Sequence, residues 1–353
     1  MATKKDSRPL VSGPDDMSKS GVSAAFTKRA AAARQTLTSR TVRFWMTGSL
    51  VLMGTGLAGR HAMDALEVEA ATLEPRLPSL EDAPVASLPL EVNERVRYWL
   101  TRFTTDQRLT MEAFLAHEEV YGGLIRAKLR ERGMPEELLY LAGIESGFRP
   151  RATSVVAAAG MWQFMGPTAE QYGLRVDEYV DERRDPIRAT DAALDYIQYL
   201  YDRFGSWYLA AAAYNAGPNR VARALRTAGA STGAEEVFWD IQHHLPRETR
   251  EYVPKMLAAT MLAREAEAYG FGDVVRELPY AYDRVWVPGG TSLWRIAEAT
   301  GSRMSHVRAL NPHLVGAIVP PGETFALRVP VGSIQQVVAS LGSGSWDTWA
   351  ADD

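Results

Sequence analysis

The chain has 353 residues, 46% of them hydrophobic, enough to bury a sizeable core and more than one folded unit. It contains no cysteine, which excludes disulfides, thiolate metal sites, cysteine nucleophiles and lipid-modified cysteine. Its net charge of −4 hides an asymmetry: residues 1–43 carry nine Lys/Arg against three Asp/Glu, leaving the remainder near −10. An acidic body argues against nucleic acid as a partner, because binding a polyanion needs clustered Lys/Arg. The six histidines are scattered, and no pair has the i, i+4 spacing of a helical metal site, so neither metal nor cofactor is expected.

The basic N-terminal tail, 1–43, leads into an uncharged apolar run, 44–58 (Phe44 to Ala58). A positive region before an apolar run reads as a secretory signal or a short membrane anchor. As a helix the run reaches only about 22 Å, short of the ~30 Å hydrocarbon core, which favours a cleaved signal. The long basic stretch before it favours retention at the inner membrane, and both modes stay open. Either one exports the protein to the periplasm.

Residues 59–90 mix acids with Pro75, Pro78, Pro84 and Pro89 and read as an acidic linker. Helical periodicity then runs from Val92 to about Tyr269. Val96, Trp99, Leu100 and Phe103 form an i, i+3, i+4, i+7 face, and Gly133 and Pro135 mark a helix stop and start. Asp185-Pro186 reads as an N-cap followed by Pro at N1. No stretch of 91–270 alternates with period two, so it is an all-helical domain. After a second linker, 271–282, a strand at Arg284–Val287, helices at Ser292–Ala299 and Ser302–Leu310, and a strand at Thr324–Val329 form a β-α-α-β unit over 283–331. Residues 332–353 read as a Gly/Ser-rich tail. The fold class is mainly α with a small C-terminal β-α-α-β module.

Within the helical region, Leu138-Leu139-Tyr140-Leu141-Ala142-Gly143-Ile144-Glu145 is an apolar helix ending in one carboxylate. Breaking a glycosidic bond needs an acid still protonated near neutral pH, and an apolar wall with a helix C-terminus raises a carboxyl pKa. Glu145 suits that role, although a glutamate at a helix end is more often a solvated surface residue. No Asp or Glu lies between Glu145 and Glu170, so the second acid of an ordinary glycosidase is missing nearby. That absence suits a substrate that supplies its own nucleophile. Ser154, Gln163, Tyr214 and Asn215 stand in small or apolar runs, where they either bind sugar or satisfy buried backbone. Trp162 and Phe164 either stack on sugars or fill the core.

In order, Glu145-Ser146-Gly147-Phe148, Ala159-Gly160-Met161-Trp162-Gln163-Phe164, Tyr172-Gly173-Leu174 and Ala213-Tyr214-Asn215-Ala216-Gly217 resemble the soluble lytic transglycosylase domain, which has a lysozyme-like helical fold. Gly133–Leu138, Val180–Pro186 and Leu245–Met256 resemble its membrane-bound murein transglycosylase D branch. The resemblance implies that Glu145 is the sole catalytic acid/base for the MurNAc–GlcNAc bond of peptidoglycan, with 1,6-anhydro-MurNAc as product. It also implies substrate binding by Ser146, Ser154, Gln163, Tyr214 and Asn215. Val155-Val156-Ala157 and Gly166-Pro167 depart from the family pattern and reshape at most a subsite. Gly290-Thr291-Ser292-Leu293, Leu310-Asn311-Pro312 and Pro321–Phe325 resemble a lysin motif (LysM), which implies binding of GlcNAc-containing strands; Thr291 replaces the more usual Asp. A hydrolytic muramidase of the same fold and a non-catalytic cell-wall scaffold are the alternatives.

Overall fold

The computed structural model describes residues 87–342. The basic tail, the apolar run 44–58 and most of the acidic linker lie outside the described residues, as do residues 343–353 of the C-terminal tail. Among the described residues no helix is long and apolar enough to cross a membrane.

Nine helices of the described region precede the sheet: α1 (Glu94–Thr104), α2 (Arg108–Glu131), α3 (Leu139–Ser146), α4 (Gly166–Gln171), α5 (Pro186–Phe204), α6 (Trp207–Ala216), α7 (Pro218–Ala228), α8 (Val237–Ile241) and α9 (Arg247–Arg264). Local sequence explains their ends. Asn93 caps α1 by accepting from the Arg95 and Val96 amides, and Asp185 caps α5 through the Ile187 and Arg188 amides. Pro at N1 opens α5, and Gly205 closes it in the left-handed conformation. Helix α3 is apolar all round and buried accordingly: Leu139, Tyr140, Leu141, Ala142 and Gly143 are all inaccessible. Ala210–Ala213 of α6 are buried too, and their small side chains let α6 run close to α5 and α9.

The β-α-α-β unit consists of β1 (Asp283–Val287), α10 (Leu293–Ala299), α11 (Met304–Leu310) and β2 (Phe325–Val329). The strands pair antiparallel with Val285 opposite Leu327 and Val287 opposite Phe325. Asn311 is buried and serves both sides of this unit: its Nδ2 donates to the Val307 and Arg328 carbonyls, and its Oδ1 accepts from the Arg328 amide.

Three stretches read as linker or tail are ordered against the core. Leu88 is buried with its amide on Glu137, and the Pro89 carbonyl accepts from Tyr208 Oη. In 271–282, Phe271 is buried, Tyr280 N donates to Val120 O at 2.8 Å, and Tyr280 Oη donates to Leu310 O at 2.6 Å. Residues 332–342, the start of the stretch read as a Gly/Ser-rich tail, carry a further helix, α12 (Ile334–Leu341). Ile334, Val337, Val338 and Leu341 give it an apolar stripe at helical spacing that closes the second core. The Gly/Ser content of the following residues masked that period.

The β-α-α-β unit is docked on the helical domain. Val180, in the loop before α5, sits inside the small core, in a bridge with Leu314. Asp181 N donates to His313 O at 2.8 Å, and Val315 N to Tyr179 O at 2.9 Å. Arg328 donates from Nη2 to both oxygens of Asp185, at 2.9 and 2.7 Å, and both residues are buried. His313 Nδ1 stands 3.1 Å from the same carboxylate, and burial pushes its pKa down to about 4, so the ring is neutral near pH 7. Removing one partner of a buried ion pair strands the other. Arg328→Ala is therefore expected to cost about 3–5 kcal/mol, read as a lowered urea midpoint with faster proteolysis of 271–282.

Candidate active site

Glu145 is the penultimate residue of α3, just before a sharp reversal. Gly147 ends the helix in the left-handed conformation, and Phe148 follows at φ 56°. Phe148 is buried edge-on to Phe114, with ring centroids 5.1 Å apart. Gly143 permits that packing, since a Cβ there would lie 2.3 Å from the Phe114 ring. The carboxylate thus stands on a short, rigid, apolar support.

Opposite it lies α9. Tyr252 Oη donates to Glu145 Oε1 at 2.7 Å. Desolvation pushes the Glu145 pKa up to about 7; the Tyr252 hydrogen bond opposes this, the Glu248 carboxylate adds to it, and the Lys255 ammonium opposes it. The side chain is only partly covered, so a bound substrate can reach the acid. Tyr252 and Tyr214 are held well above the ordinary phenol pKa by burial and by Glu145, and remain donors at neutral pH. Burial lowers the Lys255 pKa, and its ammonium lies 5.3 Å from the Trp99 ring centroid.

The remaining sequence candidates divide. Asn215 joins the cluster, donating from Nδ2 to Glu248 Oε1 at 3.1 Å and accepting from Thr249 Oγ1 at 2.7 Å. Tyr214 Oη donates to Trp162 O at 2.7 Å, tying α6 to the loop that carries Gln163. Gln163 has φ 49° and donates to Gly160 O at 2.8 Å, a left-handed geometry costing a non-glycine residue about 1 kcal/mol. Ser154 Oγ accepts from the Ala158 and Val156 amides and shapes the turn 154–158, whose middle residues 155–157 are exposed. Ser146 is buried rather than open to the cleft; its hydroxyl donates to Met161 O at 2.8 Å and accepts from Arg149 N. Trp162 and Phe164 are core residues, the indole donating to Thr190.

The 151–164 loop is clamped from behind. Arg183 donates to Ala157 O and Phe164 O, and Arg184 to Arg151 O and Thr153 Oγ1, while Asp181 accepts from both guanidiniums. Gly160 has φ 85° and packs so closely that a Cβ would sit 1.6 Å from Arg183 O. Sequence reasoning did not single out Tyr252, Glu248 or Lys255. Their signal was present: they recur at i, i+4, i+7 and so share one face of the helix.

Residues 124–237 match the family model for the transglycosylase SLT domain, and residues 281–345 that for the LysM-like domain of lytic transglycosylase MltD. The chain is 33% identical over 253 residues to membrane-bound lytic murein transglycosylase D of Escherichia coli K12, covering 71% of this chain and 55% of that protein. It is 30% identical over 144 residues to the soluble lytic murein transglycosylase of the same strain, covering 39% of this chain and 22% of the relative. Among solved structures, the 70 kDa soluble lytic transglycosylase of E. coli covers 52% of this chain and 32% of its own at 23% identity, with a TM-score of 0.36. The chain spans about half the length of the transglycosylase D relative. In domain content, an SLT domain followed by a LysM-like domain of the MltD type, the chain is similar to the lytic transglycosylases.

Proposed function

We propose that the protein is a peptidoglycan lytic transglycosylase with Glu145 as its single acid/base. The observation that carries this reading is a carboxyl whose pKa is raised to about 7, hydrogen-bonded by Tyr252 and accessible to substrate. In the first step protonated Glu145 gives its proton to the glycosidic oxygen, and the C1–O bond of MurNAc breaks toward an oxocarbenium ion. The Tyr252 hydroxyl and the Lys255 charge then stabilise the carboxylate left behind. In the second step the C6 hydroxyl of the same MurNAc attacks C1 and loses its proton to Glu145. The product is 1,6-anhydro-MurNAc, and the acid is restored.

The electrostatics support one carboxylate in the chemistry. Among the described residues, Glu248 is the only other carboxylate acting on Glu145, and one of its oxygens already accepts from Asn215. Ser154, Gln163, Tyr214 and Asn215 shape and line the saccharide site in this reading, with Ser146 holding the turn beneath Glu145. The LysM-like unit adds a contact to GlcNAc-containing strands, for which Trp294 and Trp286 are exposed. Residues 44–58 export the protein to the periplasm, as a cleaved signal or an inner-membrane anchor.

The products released from purified peptidoglycan, read by mass spectrometry, test the reaction. Muropeptides one water lighter than hydrolysed ones are expected, with release falling roughly 100-fold or more in Glu145→Gln. Reducing-end MurNAc would instead indicate a hydrolytic muramidase, and no release at all a non-catalytic scaffold.

The pH profile tests the acid. Because the protonated form is the active one, kcat/KM is expected to fall as pH rises through about 7. Tyr252→Phe removes a group that lowers the Glu145 pKa and should move that limb to higher pH. Glu248→Gln removes one that raises it and should move the limb to lower pH. A limb that stays in place in both variants would assign it to another group.

A further inference from the structure

At the joint of the two modules lies a cavity of about 510 Å³ that shares no residue with the Glu145 cluster. Its walls come from His117 and Tyr121 of α2, the 148–153 segment, Glu277 of the connecting strap, and Pro312 of the LysM-like unit. The 148–153 wall follows directly on the turn after Glu145.

The charges around this cavity are unbalanced. Arg149 spends only its Nε on a protein acceptor, the Ser146 carbonyl at 2.7 Å. Arg151 is exposed, and the charges acting on it are the Arg308 and Arg184 guanidiniums, with no carboxylate among them. Arg184 is already committed to Asp181 and to the 151–153 backbone and hydroxyl. Arg308 comes from α11 of the LysM-like unit, next to the cavity-lining Ala309, and its Nε is buried with no hydrogen-bond partner. The one carboxylate in the wall, Glu277, stands 3.6 Å from His117. Two modules thus bring guanidiniums together without an anion between them. Like charges so arranged repel, and a guanidinium fork fits a carboxylate in bidentate fashion.

We propose that this cavity binds the carboxylates of the peptide stems on the glycan strand, with Arg151 and Arg308 as the principal cations and Arg149 beside them. The inference rests on peptidoglycan as the substrate. The unmodified sugars of that polymer are neutral where the lactyl group is amide-linked to the stem, so its negative charge sits on the peptide. The LysM-like unit then supplies part of a peptide site, in addition to any contact with sugar.

The test uses the whole chain and a synthetic stem tripeptide in two forms, free acid and fully amidated, with binding read by calorimetry. Because no cleavage is measured, the result is separate from that of the lytic reaction. The free acid is expected to bind and the amide not to. Arg151→Ala and Arg308→Ala should each weaken the free acid roughly tenfold, and Arg151→Lys less, because an ammonium keeps the charge and loses only the fork. Unchanged thermal melts would establish that the variants fold. On glycan strands with free stem carboxylates, the same alanine variants should raise KM with kcat unchanged, and amidated strands should show no difference. Equal binding of the amide, or binding unaffected by both substitutions, would overturn the assignment. So would inorganic phosphate that competes as well as the peptide at equal concentration, since the cavity would then be a general anion pocket.

Discussion

Two buried carboxylates in one short loop, Asp181 and Asp185, hold the two halves of the structure in register. Asp181 gathers Arg183 and Arg184, and those guanidiniums reach forward to the carbonyls and hydroxyl of the 151–164 loop. Asp185 caps α5 with its Oδ1 and receives Arg328 from the LysM-like unit on both oxygens. A carboxylate left unpaired at such depth would cost several kcal/mol, so each of these partners is obligatory. The loop thereby positions the back of the cleft and the neighbouring module with the same few charges.

Burial has opposite consequences at Asp185 and Glu145. Both are desolvated, and desolvation alone favours the neutral acid. At Asp185 a guanidinium and two backbone amides outweigh it and keep the group ionised below its ordinary pKa. At Glu145 a single phenol and a more distant ammonium do not, and the carboxyl stays protonated up to about pH 7. The difference from an ordinary glutamate is worth on the order of 3 kcal/mol to the protonated form. The apolar helix that delivers Glu145 is therefore part of the acid's chemistry as well as its support.

Much of this was legible in the sequence, and the part that was not has a physical reason. The cap at Asp185, the apolar run of α3, and the strands near Val285 and Leu327 follow from local periods and turn residues, which a single segment carries by itself. Glu145 stood out because its apolar approach is contiguous. Tyr252 did not, since the bond that pairs it with Glu145 crosses 107 residues and exists only once α9 packs against α3. Ser146 illustrates a different limit. A hydroxyl next to the proposed acid has the same sequence appearance whether it faces a sugar or, as here, the Met161 carbonyl. The straps at Leu88–Leu90 and 271–282 carry few residues with a period, and only their docking reveals that they are structural.

The rigid joint at Arg328 also changes what a binding module contributes. On a flexible linker, such a module raises the local concentration of enzyme near polymer and leaves the meeting point to chance. Here Asp185, Val180 and the Tyr280 strap set one distance and one angle between module and cleft. If strands bind at both places as proposed, they are met at a constant offset along their length, and the joint works as a ruler and not as a leash.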